Sequence, residues 1–192
     1  VLNPKDDRNR PVPGTDKNLK TFWPVYPQYI KDLFIRAFSS NVMLKKAPRV
    51  IEKEWLDVFF RFKASVVKCP YCKEETFISQ QGDNTCIECK KKITVPNAIQ
   101  FSTVTVPLYP GTKLMMWHAD SSQNDVETKL GEIVANPRNP NMFGIKNLST
   151  LSWKVNLPDG SQKPLAPGAV VPVKKDFTIE CTTNPKDAGK II

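Results

Sequence analysis

Four cysteines form the group of residues in this sequence that is best suited to chemistry. They come as two C-x2-C pairs, Cys69 with Cys72 and Cys86 with Cys89, and 13 residues separate the pairs. The two-residue spacing lets both sulfurs of a pair reach one ion, and four thiolates complete a tetrahedral shell around Zn²⁺ with Zn–S distances near 2.3 Å. The spacing therefore predicts a zinc ribbon whose closed shell is structural rather than catalytic.

Two disulfide bonds, or a spacing without a role, are the alternatives to a zinc site. Disulfides are rare in the reducing cytosol, where we expect this protein, so zinc is the favoured interpretation. Lys73 and Lys90 directly follow the two pairs and can offset the negative charge of four thiolates around one ion. The fifth cysteine, Cys181, lies in an alternating apolar run, which predicts a buried structural thiol.

Catalytic motifs are missing from the sequence. A protein kinase needs a Gly-rich phosphate loop, a strand lysine, an H-R-D-x-x-x-x-N loop and D-F-G, and none occurs here. His118-Ala119-Asp120 is the nearest match, but Asp125 stands where the loop needs Asn. His118 is the only histidine, and we interpret it and Cys181 as structural residues rather than as a nucleophile pair. We therefore expect no enzyme activity from this chain.

Two amphipathic helices are predicted ahead of the cysteines. Pro27 suits the first turn of the first helix, and Glu52 and Glu54 suit the start of the second. Two helices cannot cover so many aromatic side chains between them, so we expect an apolar patch that another part of the protein or another copy covers. The two stripes at helical spacing are Ile30, Leu33, Phe34, Ala37 and Phe38, then Ile51, Trp55, Val58, Phe59, Phe62 and Val66.

The segment after the cysteines is typical of an antiparallel β-sandwich, because short apolar runs alternate with turn signals every 8–12 residues or so. Asp159-Gly160 is the clearest hairpin turn. Proline makes up 17 of the 192 residues, about 9% against a usual value of about 5%, which favours short strands and fixed turns. The predicted strands are residues 101–106, 113–117, 131–135, 143–148, 152–157, 169–173 and 177–181.

Three segments follow from these patterns. Residues 1–66 hold the helix pair after an irregular start (1–26), residues 67–97 hold the zinc ribbon, and residues 98–192 hold the sandwich. Within the ribbon, residues 76–78 and the turn 81–84 predict a small hairpin. The expected fold class is α+β and multidomain, with an N-terminal helix pair, a small zinc ribbon and a C-terminal antiparallel β-sandwich.

The charge balance is basic, with 28 Lys and Arg against 19 Asp and Glu and a formal net charge of +9. Because the basic residues are spread, and Lys90–Lys92 is their longest run, a solvated basic surface is the preferred interpretation. No stretch approaches the roughly 18 apolar residues of a membrane helix, and the first ten residues lack the apolar core of a secretory signal. We expect a cytoplasmic protein with no membrane partner.

The order of the motifs resembles the C-terminal region of bacterial Ser/Thr protein kinase-like proteins, a group found with von Willebrand-type and phosphatase partners. Their kinase domain is followed by a Cys-rich module and a β-rich tail. Here W-P-V-Y-P-x-Y-I-K-D-L-F-I-R-A-F from Trp23, then P-R-x-x-x-x-E-W-L, is similar to the last two helices of a kinase C-lobe. Arg49 stands in the place of the loop arginine that braces that lobe. The phrases G-I-K-N-L-S (144–149) and A-P-G-A-V-V-P (166–172) complete the likeness.

The β-rich tail also resembles a forkhead-associated (FHA) domain. Asn147-Leu148-Ser149 and the segment 153–156 are similar to the part of that family that carries a Ser and an Asn near the ligand-binding loops. The arginine and the S-x-x-H cluster with which the family reads phosphothreonine have no clear counterpart here. The resemblance therefore implies a degenerate FHA-like scaffold in preference to a phosphopeptide-binding domain.

Two functions follow. The favoured one is a non-catalytic regulatory or protein-interaction region of a kinase-like protein, whose partner is the kinase domain or an associated signalling protein. The alternative is a zinc-ribbon nucleic-acid-binding module, which the charge of +9 and Lys90–Lys92 encourage. Aromatic side chains interleaved with lysines on an exposed strand would favour the alternative.

Overall fold

The computed structural model describes residues 22–78, 84–95, 97–120, 122 and 125–192. The chain divides into two compact units, of which the first ends at Lys63 and the second runs from Ala64 to Ile192. The described residues contain few helices and several antiparallel sheets, so the fold is α+β and mostly β. Residues 1–21 of the irregular start expected at 1–26 and residues 81–83 of the turn expected at 81–84 lie outside the described residues.

Helices dominate the first unit. A 3-10 turn (Trp23–Val25) precedes α1 (Gln28–Ala37), a single turn α2 (Ser40–Met43) follows, and α3 spans Glu52–Ala64. Ser39 ends α1 and begins α2, because its side chain accepts a hydrogen bond from the Val42 N–H at 3.4 Å. The two predicted helices are therefore present, with an additional helical turn between them.

Aromatic rings connect α1 with α3. The ring of Phe34 lies 5.0 Å from that of Trp55 in an edge-to-face arrangement, and Trp55 stacks on Phe59 at 5.7 Å. Arg36 of α1 forms an ion pair with Glu54 of α3. These contacts join the two predicted stripes to each other.

Part of the apolar surface of the helix pair remains exposed. Phe38 and Phe59 keep 40% and 46% of their surface accessible, and Arg49 is exposed in the loop between the helices. The other large apolar residues exposed in this unit are Phe22, Tyr26, Met43, Leu44, Ile51 and Leu56.

The second helix is two residues shorter than predicted. Its apolar stripe was expected to continue to Val66, but α3 ends at Ala64 and Val66 begins strand β1 (Val66–Lys68), which pairs with β2 (Glu75–Phe77). Val66 and Val67 are β-branched and fit a pleated strand better than a helix. The strand lies in the second unit, so the predicted boundary at residue 66 is misplaced.

Two larger antiparallel sheets follow in the second unit. One has four strands in the order β10-β7-β6-β5, and the other has six in the order β4-β3-β12-β11-β8-β9. A helical turn α4 (Met116–Ala119) follows β5. The strands are β3 (Ala98–Gln100), β4 (Thr105–Pro107), β5 (Lys113–Met115), β6 (Lys129–Asn136), β7 (Asn139–Asn147), β8 (Trp153–Asn156), β9 (Gln162–Leu165), β10 (Val170–Pro172), β11 (Thr178–Glu180) and β12 (Gly189–Ile191).

Each of the seven predicted runs overlaps an observed strand, but the first two differ from the prediction. Residues 101–106 do not form one strand, because the Phe101 N–H donates to the Val104 carbonyl at 2.9 Å and the chain turns there between β3 and β4. The run 113–117 ends early, since α4 begins at Met116. The predicted Asp159-Gly160 turn is confirmed, because it joins β8 to β9 with Gly160 at φ +83°.

Apolar side chains of both larger sheets are buried in the second unit. Trp153, Ile133 and Ile145 are each at most 1% exposed. Trp153 of the six-stranded sheet reaches Gly131 of the four-stranded sheet so closely that a Cβ at Gly131 would lie 2.8 Å from its Cη2 atom. Glycine at position 131 therefore makes room for the indole ring.

Candidate metal centre

Each cysteine pair lies in a tight turn of the backbone. In the first turn, the Cys69 N–H donates to the Glu74 carbonyl and the Lys73 N–H donates to the Cys69 carbonyl, at 2.9 and 3.0 Å. Strands β1 and β2 hold this turn at its base, where Lys68 pairs with Glu75. We call this turn, residues 68–75, the first knuckle.

The second knuckle, residues 85–92, repeats the first at an offset of 17 residues. The Cys86 N–H donates to the Lys91 carbonyl at 2.9 Å and the Lys90 N–H donates to the Cys86 carbonyl at 3.1 Å. A bridge between Thr85 and Lys92 closes its base. The two knuckles thus present their cysteines in the same backbone geometry.

The hairpin predicted from residues 76–78 and the turn 81–84 lies partly outside the described residues, since 79–83 are not described. The described strand β2, which includes Thr76 and Phe77, pairs with the preceding strand β1 across the first knuckle. The Thr76 hydroxyl also accepts from the Ile87 N–H at 3.4 Å, which connects the two knuckles. Each knuckle is therefore its own small antiparallel turn.

The four sulfur atoms converge. All lie within 4.8 Å of one another, and the Cys69–Cys89 and Cys72–Cys86 sulfurs are each 3.7 Å apart. All five cysteines of the chain are free thiols, so the disulfide alternative is not what the structure contains. Four soft sulfur donors at these separations can hold one metal ion. Within the described residues, this is the one such group of three or more Cys, His, Asp or Glu side chains.

A small apolar cluster surrounds the sulfurs. Cys69 and Cys86 are fully buried, with Val67, Ile78 and Ile93 packed around them. The remaining contacts come from Cys72, Cys89, Val95 and Tyr109. Tyr109 follows strand β4, so the sheet region of the second unit also contributes to the surroundings of the site. No pattern in the sequence indicates a role for this residue, because it lies 20 positions beyond Cys89 and meets the cluster only in the folded chain.

Neighbouring groups shift the acidity of the cysteines in opposite directions. Burial opposes ionisation of Cys69, but the backbone N–H groups of Cys72 and Tyr71 and the adjacent thiols outweigh it and lower its pKa to about 6. For Cys72 the Glu74 backbone N–H favours the thiolate, yet burial and the other thiols raise its pKa to about 12. The cluster therefore accepts one negative charge readily and resists a second one, unless a cation is bound.

Both lysines that follow the cysteine pairs adopt a left-handed backbone conformation, with φ of +68° at Lys73 and +60° at Lys90. The Lys73 ammonium donates to the Pro70 carbonyl at 2.9 Å, and the Lys90 ammonium donates to the Ile87 carbonyl. Each lysine thus closes its own knuckle by binding the carbonyl three residues before it. In the sequence these lysines directly follow the cysteine pairs, but no pattern indicates that their ammonium groups bind the knuckle carbonyls.

His118 and Cys181 are both buried, with 3% and 2% of their surface exposed. The Nδ1 atom of His118 accepts a hydrogen bond from the Met115 N–H at 3.0 Å, and its ring packs against Trp117. Burial raises the pKa of the Cys181 thiol to about 12. A thiol held in its neutral form is a poor nucleophile.

The segment that resembles an FHA domain contains a buried polar network. Asn147 is fully buried and donates to the carbonyls of Leu151 and Leu165 at 2.8 and 3.0 Å. The Ser149 hydroxyl donates to the Asn147 Oδ1 at 2.8 Å and accepts from the Trp153 indole N–H at 2.9 Å. The hydrogen-bonding capacity of Ser149 is thereby used within the chain, where it fixes the loop between β7 and β8.

Comparison with protein-family models, with curated proteins and with solved structures finds no match to this chain. Among the described residues, no helix combines the length and the apolarity that crossing a membrane requires. The inferences about function below therefore depend on the residues themselves.

Proposed function

We propose that this chain is a non-catalytic regulatory or protein-interaction region at the C-terminal end of a bacterial Ser/Thr protein kinase-like protein. One zinc ion, bound by Cys69, Cys72, Cys86 and Cys89, stabilises its ribbon. The observation that carries the proposal is the converged set of four sulfur atoms within 4.8 Å of one another.

The sulfur separations support zinc. A regular tetrahedron with Zn–S bonds near 2.3 Å has edges of about 3.8 Å. The two cross-knuckle separations of 3.7 Å match that edge. Bound there, zinc would supply only structural cross-linking, because four thiolates fill its shell and leave no position for a water or a substrate. The chain's own part is to hold four sulfurs at this spacing in an apolar cluster.

Burial of the reactive side chains supports a non-catalytic role. The two side chains that could pair as base and nucleophile, His118 and Cys181, are buried, and Ser149 is engaged by Asn147 and Trp153. We infer that the β-rich tail is a degenerate FHA-like sandwich that serves as a scaffold. The close approach of Trp153 to Gly131 across the two sheets supports the sandwich arrangement.

The nucleic-acid alternative has one observation in its favour. Tyr71 is 55% exposed on the first knuckle, and the Lys91 ammonium lies 5.0 Å from the centre of its ring. The charge of the segment argues against it, however, because residues 66–95 contain five lysines and four acidic residues. A zinc tetrathiolate adds two negative charges, so the ribbon as a whole would carry about −1, which does not attract a phosphate backbone.

The proposal is tested by calorimetric titration of the purified chain with ATP and Mg²⁺, for which we expect no binding in the micromolar range. Micromolar affinity would show a phosphate site and overturn the non-catalytic assignment. Kinase motifs are also expected in the parent protein ahead of Val1, and a parent without them would overturn the kinase assignment while leaving the zinc site intact.

Fluorescence anisotropy with labelled single-stranded DNA and RNA at low salt tests the alternative. We expect weak binding that Tyr71→Ala does not change. Tight binding that falls upon this substitution, while Phe59→Ala in the helix pair leaves it unchanged, would favour the nucleic-acid module.

A further inference from the structure

The two larger sheets end in four edge strands within the described part of the chain, namely β10 and β5 in one sheet and β4 and β9 in the other. An edge strand presents backbone N–H groups that another strand can bind, so exposed edges promote aggregation and strand addition. Backbone N–H groups point alternately towards and away from the neighbouring strand, so the hydrogen-bonded register of each edge strand determines which of its N–H groups point away from the sheet.

Strand β4 has a proline at an outward position, which is a position whose backbone N–H would point away from the sheet. The Phe101 N–H donates to the Val104 carbonyl and the Leu108 N–H donates to the Asn97 carbonyl. Residue pairs 101–104 and 97–108 are therefore hydrogen-bonded pairs, as is the pair between them, Ile99 with Val106. Thr105 and Pro107 consequently face outward, and Pro107 has no N–H to offer.

Strands β9 and β10 show the same arrangement. In β9 the Leu157 N–H donates to the Ser161 carbonyl, so Pro164 faces outward. In β10 the Val173 N–H donates to the Phe143 carbonyl, so Pro172 faces outward. Three of the four edges thus carry proline at the second of two outward positions, where an unoccupied N–H would otherwise be available.

Strand β5 contains no proline, but its corresponding N–H is occupied. The Met116 N–H donates to the Thr128 carbonyl at 2.9 Å, on the side of β6. The preceding N–H, that of Met115, turns instead to the Nδ1 atom of His118 at 3.0 Å. His118 is 3% exposed and its ring stacks on Phe101 at 6.4 Å, so this acceptor is held in place by its surroundings.

We propose that His118 protects the edge strand β5 against strand addition, as Pro107, Pro164 and Pro172 protect the other three edges. On each of the four edge strands, the second outward position then has no free backbone N–H. This accounts for part of the high proline content and gives the only histidine of the chain a role. A partner of this unit would accordingly contact side chains or loops and would not extend a sheet.

A matched pair of variants tests the proposal. His118→Gln keeps an acceptor at the third residue of the helical turn, where a Gln side chain commonly accepts a hydrogen bond from the N–H of the N-cap residue, here Met115. His118→Leu keeps bulk but removes the acceptor. Hydrogen exchange of the Met115 amide, and mass by light scattering over a concentration series, are measured for both variants and for the unsubstituted chain.

We expect the Met115 amide of His118→Leu to exchange about tenfold faster than that of His118→Gln, in keeping with the loss of one hydrogen bond. We also expect His118→Leu to self-associate while His118→Gln and the unsubstituted chain stay monomeric. Faster exchange without association, association without faster exchange, or the same behaviour in both variants would overturn the role of His118.

Two further measurements do not depend on whether His118→Leu folds. In the unsubstituted chain, the Met115 amide should be protected as strongly as the Ile133 amide within the ladder, and rapid exchange there would contradict the proposal. Pro172→Val restores an outward N–H in β10, and we expect it to self-associate. A Pro172→Val variant that folds normally and stays monomeric would show that the prolines do not protect the edge strands against strand addition.

Discussion

The knuckles and the larger sheets belong to one compact unit, yet they differ in what stabilises them. Around the four cysteines, the fully or nearly buried apolar side chains other than cysteine are Val67, Ile78 and Ile93. The sheets bury many more apolar side chains, including Trp153, Ile133 and Leu114. Three aliphatic side chains contribute too little to fold a segment of some thirty residues, since each is worth roughly 1.5–3 kcal/mol on burial. We therefore expect the knuckles to need a metal ion and the sheets to fold without one.

The largest effect is expected from Cys86→Ser, which removes one of the four ligands. Structural zinc supplies roughly 10–16 kcal/mol of apparent binding energy in comparable small domains, so the knuckles should lose both metal and structure. Metal analysis should fall from about one equivalent to none, and hydrogen exchange should become fast in residues 66–95 but stay slow in β6 and β7.

Cys181→Ala is the control, because it removes a buried thiol far from the ligand set in sequence and should retain the metal. A Cys86→Ser protein with slowly exchanging knuckles would contradict the difference between the two regions.

Trp153→Ala should produce the converse result. The substitution leaves a cavity beside Gly131 in the sheets and should cost about 3–5 kcal/mol of unfolding free energy, measured by denaturant titration, without loss of metal. Trp55→Ala is the matched tryptophan control in the helix pair, where Trp55 is only half-buried. We expect it to cost less, and an equal loss would mean that the helix pair depends on burial as strongly as the sheets do.

The two regions should also respond differently to pH. In the knuckles, protons compete with the metal ion for the cysteine thiolates, so the stability that the metal supplies is lost as the pH falls. The raised pKa of Cys181 stabilises the sheets below about pH 9, and this contribution is lost as the pH rises towards about 12. The second loss amounts to about 1.4 kcal/mol for each pH unit.

Site-resolved hydrogen exchange of the metal-bound protein, corrected for the intrinsic rate at each pH, measures both trends. Cys181→Ala should abolish the alkaline decline of the sheets and leave the acid response of the knuckles unchanged. An alkaline decline that persists in this variant would assign it to other groups.

The smallest effect is expected at Lys73. Its φ of +68° is unfavourable for a side chain with a Cβ, so Lys73→Gly should leave the metal content unchanged and stabilise the knuckle by about 0.5–1 kcal/mol. Lys73→Ala keeps the backbone strain and loses the bond to the Pro70 carbonyl, so it should be destabilising. If Lys73→Gly instead releases the metal, the charge of the lysine contributes more to metal binding than its backbone conformation does.

Local patterns predicted the helices and the convergence of the four cysteines because both depend on short-range spacing. Ile30 and Leu33 are buried as the helical stripe indicates, and the cysteines converge as their pairs indicate. Interactions between distant segments were not predictable. Strand β9 contains Pro164 and few apolar residues, so it has no strand signal of its own and forms because β8 lies beside it.

The errors have similar physical causes. Residues 101–106 are rich in aromatic and β-branched residues and therefore favour a strand, but the hydrogen bond between Phe101 and Val104 turns the chain within them. The left-handed lysines were not predicted, since glycine is the residue expected at such a position. Tyr109 was missed because only the folded chain brings it to the cysteine cluster.

Each of the two knuckles supplies half of the site, and one continuous chain joins the two halves. Each half brings two sulfurs in a preset turn, and the chain between Cys72 and Cys86 sets the local concentration of one half near the other. The entropy of closing such a loop grows only with the logarithm of its length, so doubling these 13 residues would cost about 0.6 kcal/mol. We therefore expect an insertion after Ile78 and before the second knuckle to be tolerated, whereas one residue added between the two cysteines of either knuckle would break the turn that positions them.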